Sequence, residues 1–97
     1  MKTKENIKYE GWELSVDDNS IEVSKDGEHR VYDLDGIESV IHSNDYVILD
    51  RGTNGFYQVK FEEDNFLVID EFDYNHEFVD SIATVSYTHL TLPTKDS

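Results

Sequence analysis

The sequence predicts a mainly β domain, with α+β as the variant: a small antiparallel twisted sheet or partly open barrel of about five or six strands and one short C-terminal helix. Three observations predict it. Apolar and polar residues alternate with period two through the first two-thirds of the chain. Turn-forming clusters recur about every 8 to 12 residues, the rhythm of a meander, sandwich or small barrel. After Asp73 the apolar spacing becomes helical.

Trp12, Leu14 and Val16 alternate with Glu13, Ser15 and Asp17, the pattern of a half-buried strand. Asp17-Asp18-Asn19-Ser20 is a polar turn, and Ile21-Glu22-Val23 resumes the alternation. Lys25-Asp26-Gly27-Glu28 is a hairpin signal, because Asp-Gly readily takes the positive φ of a type I′ turn. The next strand covers His29 to Leu34 and ends at Asp35-Gly36. Ile37 to His42 fits either a helical turn or the start of a strand. Ser43-Asn44-Asp45 turns the chain into the β-rich Tyr46 to Asp50. Gly52-Thr53-Asn54-Gly55 reads as a hairpin loop and Phe56 to Glu62 as its returning arm. Glu63-Asp64-Asn65 is a further turn before Phe66 to Asp70. Phe78, Val79, Ile82 and Ala83 predict a helix over Asn75 to Ala83, capped by Asp73 or Asn75. The expected core is Trp12, Leu14, Val16, Ile21, Val23, Val47, Leu49, Tyr57, Val59, Phe61, Leu67 and Ile69.

Residues 1–84 are read as a single acidic β-rich domain, and residues 85–97 as a non-native tail. Val85 to Lys95 resembles the peptide translated from sequencing-adapter DNA at the end of an assembled read. That resemblance implies a reading frame from a metagenomic assembly and the loss of the native C-terminus. A Thr-rich strand ending at Pro93 is the alternative. Functional expectations are therefore placed before Val85.

Hydrophobic residues are 37% of the chain and aromatics 12%, enough for a core and unlike disordered acidic segments. There is no Cys, which removes disulfides and thiolate metal sites. The start, Met1-Lys2-Thr3-Lys4-Glu5-Asn6, leads into no apolar stretch of signal-peptide type, and no run reaches membrane-spanning length. A bacterial cytoplasmic setting is expected. Eight Lys and Arg against 22 Asp and Glu leave a net charge of −14. Such a chain is repelled by phosphate backbones and anionic membranes and steered toward basic proteins. The expectation is a basic protein partner, with no direct nucleic acid and no membrane.

Motifs for chemistry are wanting. Asp70, Glu71 and Asp73 suit acid–base work or a hard cation, but neighbours on a strand point to opposite faces. Asp33-Leu34-Asp35-Gly36 matches only part of a Ca²⁺ loop. His29, His42, His76 and His89 include no pair at zinc-helix spacing, and His42-Ser43 with Asp45 lacks a nucleophile elbow. Gly52 to Gly55 is not a phosphate-binding loop. Tyr32, Tyr46, Phe56, Tyr57 and Phe61 provide stacking area without the basic groove nucleic acid requires. No enzyme, catalytic residue, metal or cofactor is expected.

The acidic segment is the candidate partner-binding site: Glu62, Glu63, Asp64, Asp70, Glu71, Asp73, Glu77 and Asp80, with no Lys or Arg from Phe61 to Asp80. Carboxylates at i and i+2 of a strand lie about 6.6 Å apart on one face and can imitate a nucleic-acid charge series. Phe66, Phe72, Tyr74 and Phe78 would supply apolar anchors. The competing reading is a solvated acidic face with Phe66 and Phe78 directed inward.

In size, acidity, lack of Cys and lack of catalytic motifs, the chain is similar to phage-encoded inhibitors of bacterial defence, such as anti-CRISPR proteins and restriction-blocking DNA mimics. The similarity implies an inhibitor that occupies the basic nucleic-acid-binding surface of a nuclease or effector. A second expectation is a small-ligand-binding protein that sequesters a nucleotide signal through Arg30, Arg51 or Lys60. A third is an immunity protein or a structural subunit.

Overall fold

The computed structural model describes residues 5–63 and 66–86. Within them the alternating segments form nine strands, each antiparallel to its chain neighbour in the same sheet. The first sheet has the order β1 (Glu5–Tyr9), β2 (Trp12–Val16), β3 (Ser20–Lys25) and β4 (Glu28–Asp33). The second has β5 (Ser39–His42), β6 (Tyr46–Asp50), β7 (Phe56–Glu62), β8 (Phe66–Phe72) and β9 (Phe78–Ser86). A single 3₁₀ turn, Gly52–Asn54, joins β6 to β7. The fold is thus mainly β and antiparallel, as expected, but the described residues form nine strands in two meanders where one sheet or partly open barrel of about five or six strands was expected.

Local chemistry sets the turns. Asp26 and Gly27 take φ of 54° and 85°, and Lys25 pairs with Glu28 across them, the two-residue hairpin that Asp-Gly favours. Strand β1 begins the meander through a similar turn at Glu10-Gly11. The Asp17 carboxylate accepts the Asn19 N–H at 2.9 Å and the Ser20 hydroxyl at 3.0 Å, fixing the β2–β3 turn.

Both sheets contribute to one buried cluster, which contains all twelve expected core residues together with Ile7, Leu34, Ile37 and Val85. Phe61 from the second sheet stacks on Tyr9 at 4.4 Å and meets Trp12 at 6.5 Å, so aromatic packing bridges the sheets. Lys25 is buried beside them; its ammonium donates to the Glu10 carbonyl at 2.9 Å and lies 5.2 Å from the Trp12 ring. His42 and Glu5, on the adjacent edges β5 and β1, meet at 3.0 Å.

The expected helix over Asn75 to Ala83 is not there: these residues run into β9. The cause is two bulges. Phe72 pairs with Phe78 but Glu71 with Asp80, which leaves Val79 extra; Asp70 pairs with Ser81 but Ile69 with Ala83, which leaves Ile82 extra. The four residues that spell helical spacing are two bulge pairs on a strand. The expected cap is real, but it caps a turn: Asp73 Oδ1 accepts the N–H groups of Asn75 at 2.8 Å and Glu77 at 3.0 Å. Val85 is 1% exposed and pairs with Leu67, so β9 continues two residues beyond Thr84. The remainder of the adapter-like stretch, from Tyr87 on, lies outside the described residues.

Candidate functional site

Directly paired residues in a ladder share a face, so the register divides the second sheet into two surfaces. Val47, Leu49, Tyr57, Val59, Phe61, Leu67 and Ile69 line the inner surface and are buried. The outer surface carries Ile41, Tyr46, Ile48, Val68 and Phe66 alongside Gln58, Lys60, Glu62 and Asp70. The first sheet's outer face differs. It presents Asn6, Lys8, Glu13, Ser15, Glu22, Ser24 and His29 around a hollow of about 280 Å³.

One cross-strand row of the second sheet's outer face reads Asp50, Phe56, Phe72, Phe78. Phe56 and Phe72 stack at 5.1 Å with their planes 11° apart, and Phe78 meets Phe72 edge-on at 6.1 Å. His76 stands edge-on to Phe56 at 5.5 Å, carried there by the turn that Asp73 organises. Phe78 is 60% exposed and Tyr74, in the same turn, 65%. Gly55 makes the stack possible. With φ of 99° it runs so close to β8 that a Cβ would overlap the Phe72 carbonyl and lie 2.8 Å from Asp73 Cα.

The structure separates the eight acids expected to act together. Glu62 and Glu63 are exposed at the β7–β8 turn, where Glu62 lies 3.7 Å from Lys60; Asp64 is outside the described residues. Asp70 is half-buried on the outer face, one position from Phe72 on that side of β8. Asp73 is committed to its turn, Glu77 is exposed next to Phe78, and Asp80 is exposed but pairs with Glu71. Glu71 pairs with Tyr57 on the inner side, and its carboxylate binds Arg51 at 3.0 Å. Along β8 the outward positions are Phe66, Val68, Asp70 and Phe72, so this strand carries one outward carboxylate and no series. What lies next to the aromatic row is a smaller group, Asp70, Asp73 and Glu77, while Asp80 pairs with Glu71 on the other side of the sheet. Glu62 sits about 20 Å from Phe56 along β7, six residues at strand rise.

Phe66 is 41% exposed and Phe78 60%, so neither is a core residue. The row also includes Asp50 and Phe56, which lie outside the acidic segment. The sequence signal for this face is the apolar run on both parities of Phe66-Leu67-Val68-Ile69 and of Tyr46-Val47-Ile48-Leu49. Such runs belong to strands covered on both sides, yet among the described residues the first sheet covers one side only.

The cations expected to grip an anion do not converge. Arg51 donates to Glu71 at 3.0 Å and to the Asp35 carbonyl at 2.9 Å, with its guanidinium 4.7 Å from the Tyr57 ring. Burial raises the Tyr57 phenol pKa, against the opposing pull of Arg51. Lys60 belongs to the outer face of the second sheet and Arg30 to β4 of the first. Among the described residues no helix is long and apolar enough to cross a membrane. No protein-family model matches the chain, and no curated protein or solved structure is significantly similar to it.

Proposed function

We propose that this protein is an acidic binding module that docks on, and thereby occludes, a basic surface of a partner protein, of the kind nucleases and other nucleic-acid-binding effectors present. One observation carries the reading: the second sheet's outer face offers aromatic and aliphatic side chains with carboxylates around them. Among the described residues of β5 to β9, Lys60 is the only Lys or Arg, and it lies beside Glu62. Apolar area supplies the binding energy of most interfaces, while charge selects the partner and speeds the encounter. A chain at −14 favours a cationic partner and disfavours phosphate.

The test is immobilisation of the protein in bacterial lysate, stepwise salt elution, and competition between the protein and duplex DNA for the captured partner. The expected partner elutes with salt and releases DNA as the protein is added. A partner that holds duplex DNA and this protein together without competition overturns the reading.

A further inference from the structure

We infer that the Phe56–Phe72–Phe78 row is the docking surface for arginine side chains of that basic partner. The inference rests on the proposed function and assigns its point of contact. Three observations select this occupant. The row is an apolar surface on a sheet face that the other sheet does not cover among the described residues, with Phe78 60% exposed at one end and the half-buried pair Phe56 and Phe72 stacked beside it. Three carboxylates adjoin it, with His76 edge-on to Phe56: Asp50 continues the row beyond Phe56, Asp70 lies next to Phe72 on the same face, and Glu77 directly precedes Phe78. Finally, Arg51, the nearest arginine in sequence, is held on the inner side by Glu71, Asp35 and Tyr57, so the chain does not fill the surface with its own guanidinium.

Aromatic faces beside carboxylates suit a guanidinium more than an ammonium. The guanidinium is planar, weakly hydrated and able to stack on a ring while its edge N–H groups reach carboxylate oxygens. A lysine ammonium holds its water more tightly and gains less from the rings. A second copy of the chain is a poor occupant, because it would bring another −14 charge against the same acids.

The experiment uses the full chain and two probes, oligo-arginine and oligo-lysine peptides of equal length and charge. Calorimetry gives the affinities, and NMR of the aromatic side chains locates the contact. The expected result is binding of the arginine peptide roughly fivefold to tenfold tighter than the lysine peptide, with shifts at Phe56, Phe72 and Phe78. Phe78→Ser, at an exposed position outside the core, should lower the affinity for the arginine peptide toward that for the lysine peptide while leaving the melting temperature in place. Equal affinity for the two peptides, unchanged by Phe78→Ser, overturns the aromatic assignment and leaves the basic-partner reading standing. Binding of neither peptide overturns both. Concentration-dependent self-association that Phe78→Ser abolishes gives the face to a second copy and also overturns the assignment.

Discussion

Arg51, in the β6–β7 connection, and Glu71 of β8 meet at 3.0 Å, and their side chains are 12% and 25% exposed. The pair removes a carboxylate from the acidic segment and an arginine from any anion site, so its role is structural. Arg51 also holds the Asp35 carbonyl and covers Tyr57. Arg51→Ala should cost about 1–3 kcal/mol, since it strands a charge-assisted acceptor and uncovers a ring. Glu71→Gln should cost less, and a double-mutant cycle by urea unfolding should show coupling of about 1 kcal/mol. Additive costs would mean that the two side chains do not support one another.

Gly55 governs the aromatic row from its backbone. Gly55→Ala forces an alanine into φ of 99° and pushes its Cβ into the β8 backbone at Phe72 and Asp73. Strain of that kind costs about 1–3 kcal/mol before the overlap is counted. The expected variant has a markedly lower midpoint in urea and altered ring signals for Phe56 and Phe72. An unchanged midpoint would contradict the close approach.

Val85 tests where the domain stops. It is 1% exposed and pairs with Leu67, although it opens the adapter-like stretch. Val85→Ala should cost about 1–3 kcal/mol by removing buried methyl groups. Ending the chain at Thr84 removes the same packing and should lower the melting temperature at least as far. A chain ended at Thr84 that melts as the parent does would place Val85 outside the cooperative core.

Two titrations shape stability against pH. Burial holds the Tyr57 phenol neutral, so its folded pKa is above the unfolded value of about 10. Its contribution is therefore complete below that pH and declines as pH rises through the folded pKa. Asp17 has the opposite sign. The Asn19 N–H bond lowers its pKa, so its contribution is present above the ordinary carboxylate range and lost as pH falls. Tyr57→Phe should flatten the alkaline limb and Asp17→Asn the acid limb of melting temperature against pH. The variants exchanging those effects would reverse both assignments.

Period-two patterning made most of this fold legible. The inward positions from Trp12 to Val23 and from Val47 to Ile69 follow directly from alternation, because one face of each strand is buried and the other is not. Ile7 was harder to see, since β1 sits among lysines and offers only a short alternating run. β9 misleads for a physical reason: each bulge puts two neighbouring apolar residues where a strand should alternate, and two bulges imitate a helix. The site was legible in composition but not in geometry. Acids close in sequence from Glu62 to Asp80 fall on a turn, on opposite faces of β8 and beside Phe78, while Asp50 and Phe56 join them only through pairing.

The functional consequence is a division of labour among the acids. Asp70 and Glu77 lie beside the aromatic row, whereas Asp80 pairs with Glu71 on the other side of the sheet, Glu71 is neutralised by Arg51 and Asp73 Oδ1 holds the turn. Exposed charges at an interface rim act chiefly on the association rate, and salt screens them over about 8 Å at 0.15 M. Asp70→Asn and Glu77→Gln together should therefore slow association with oligo-arginine several-fold at low salt, with much less effect above 0.15 M and little change in dissociation. Glu71→Gln should leave the association rate alone and lower stability instead. Asp73→Asn should be intermediate, because an amide oxygen still accepts the Asn75 and Glu77 N–H groups while the charge is lost. Stopped-flow association across a salt series separates these cases. If that double variant associates at the parental rate at every salt concentration while Glu71→Gln slows it, the steering charge lies on the inner side, not around the aromatic row.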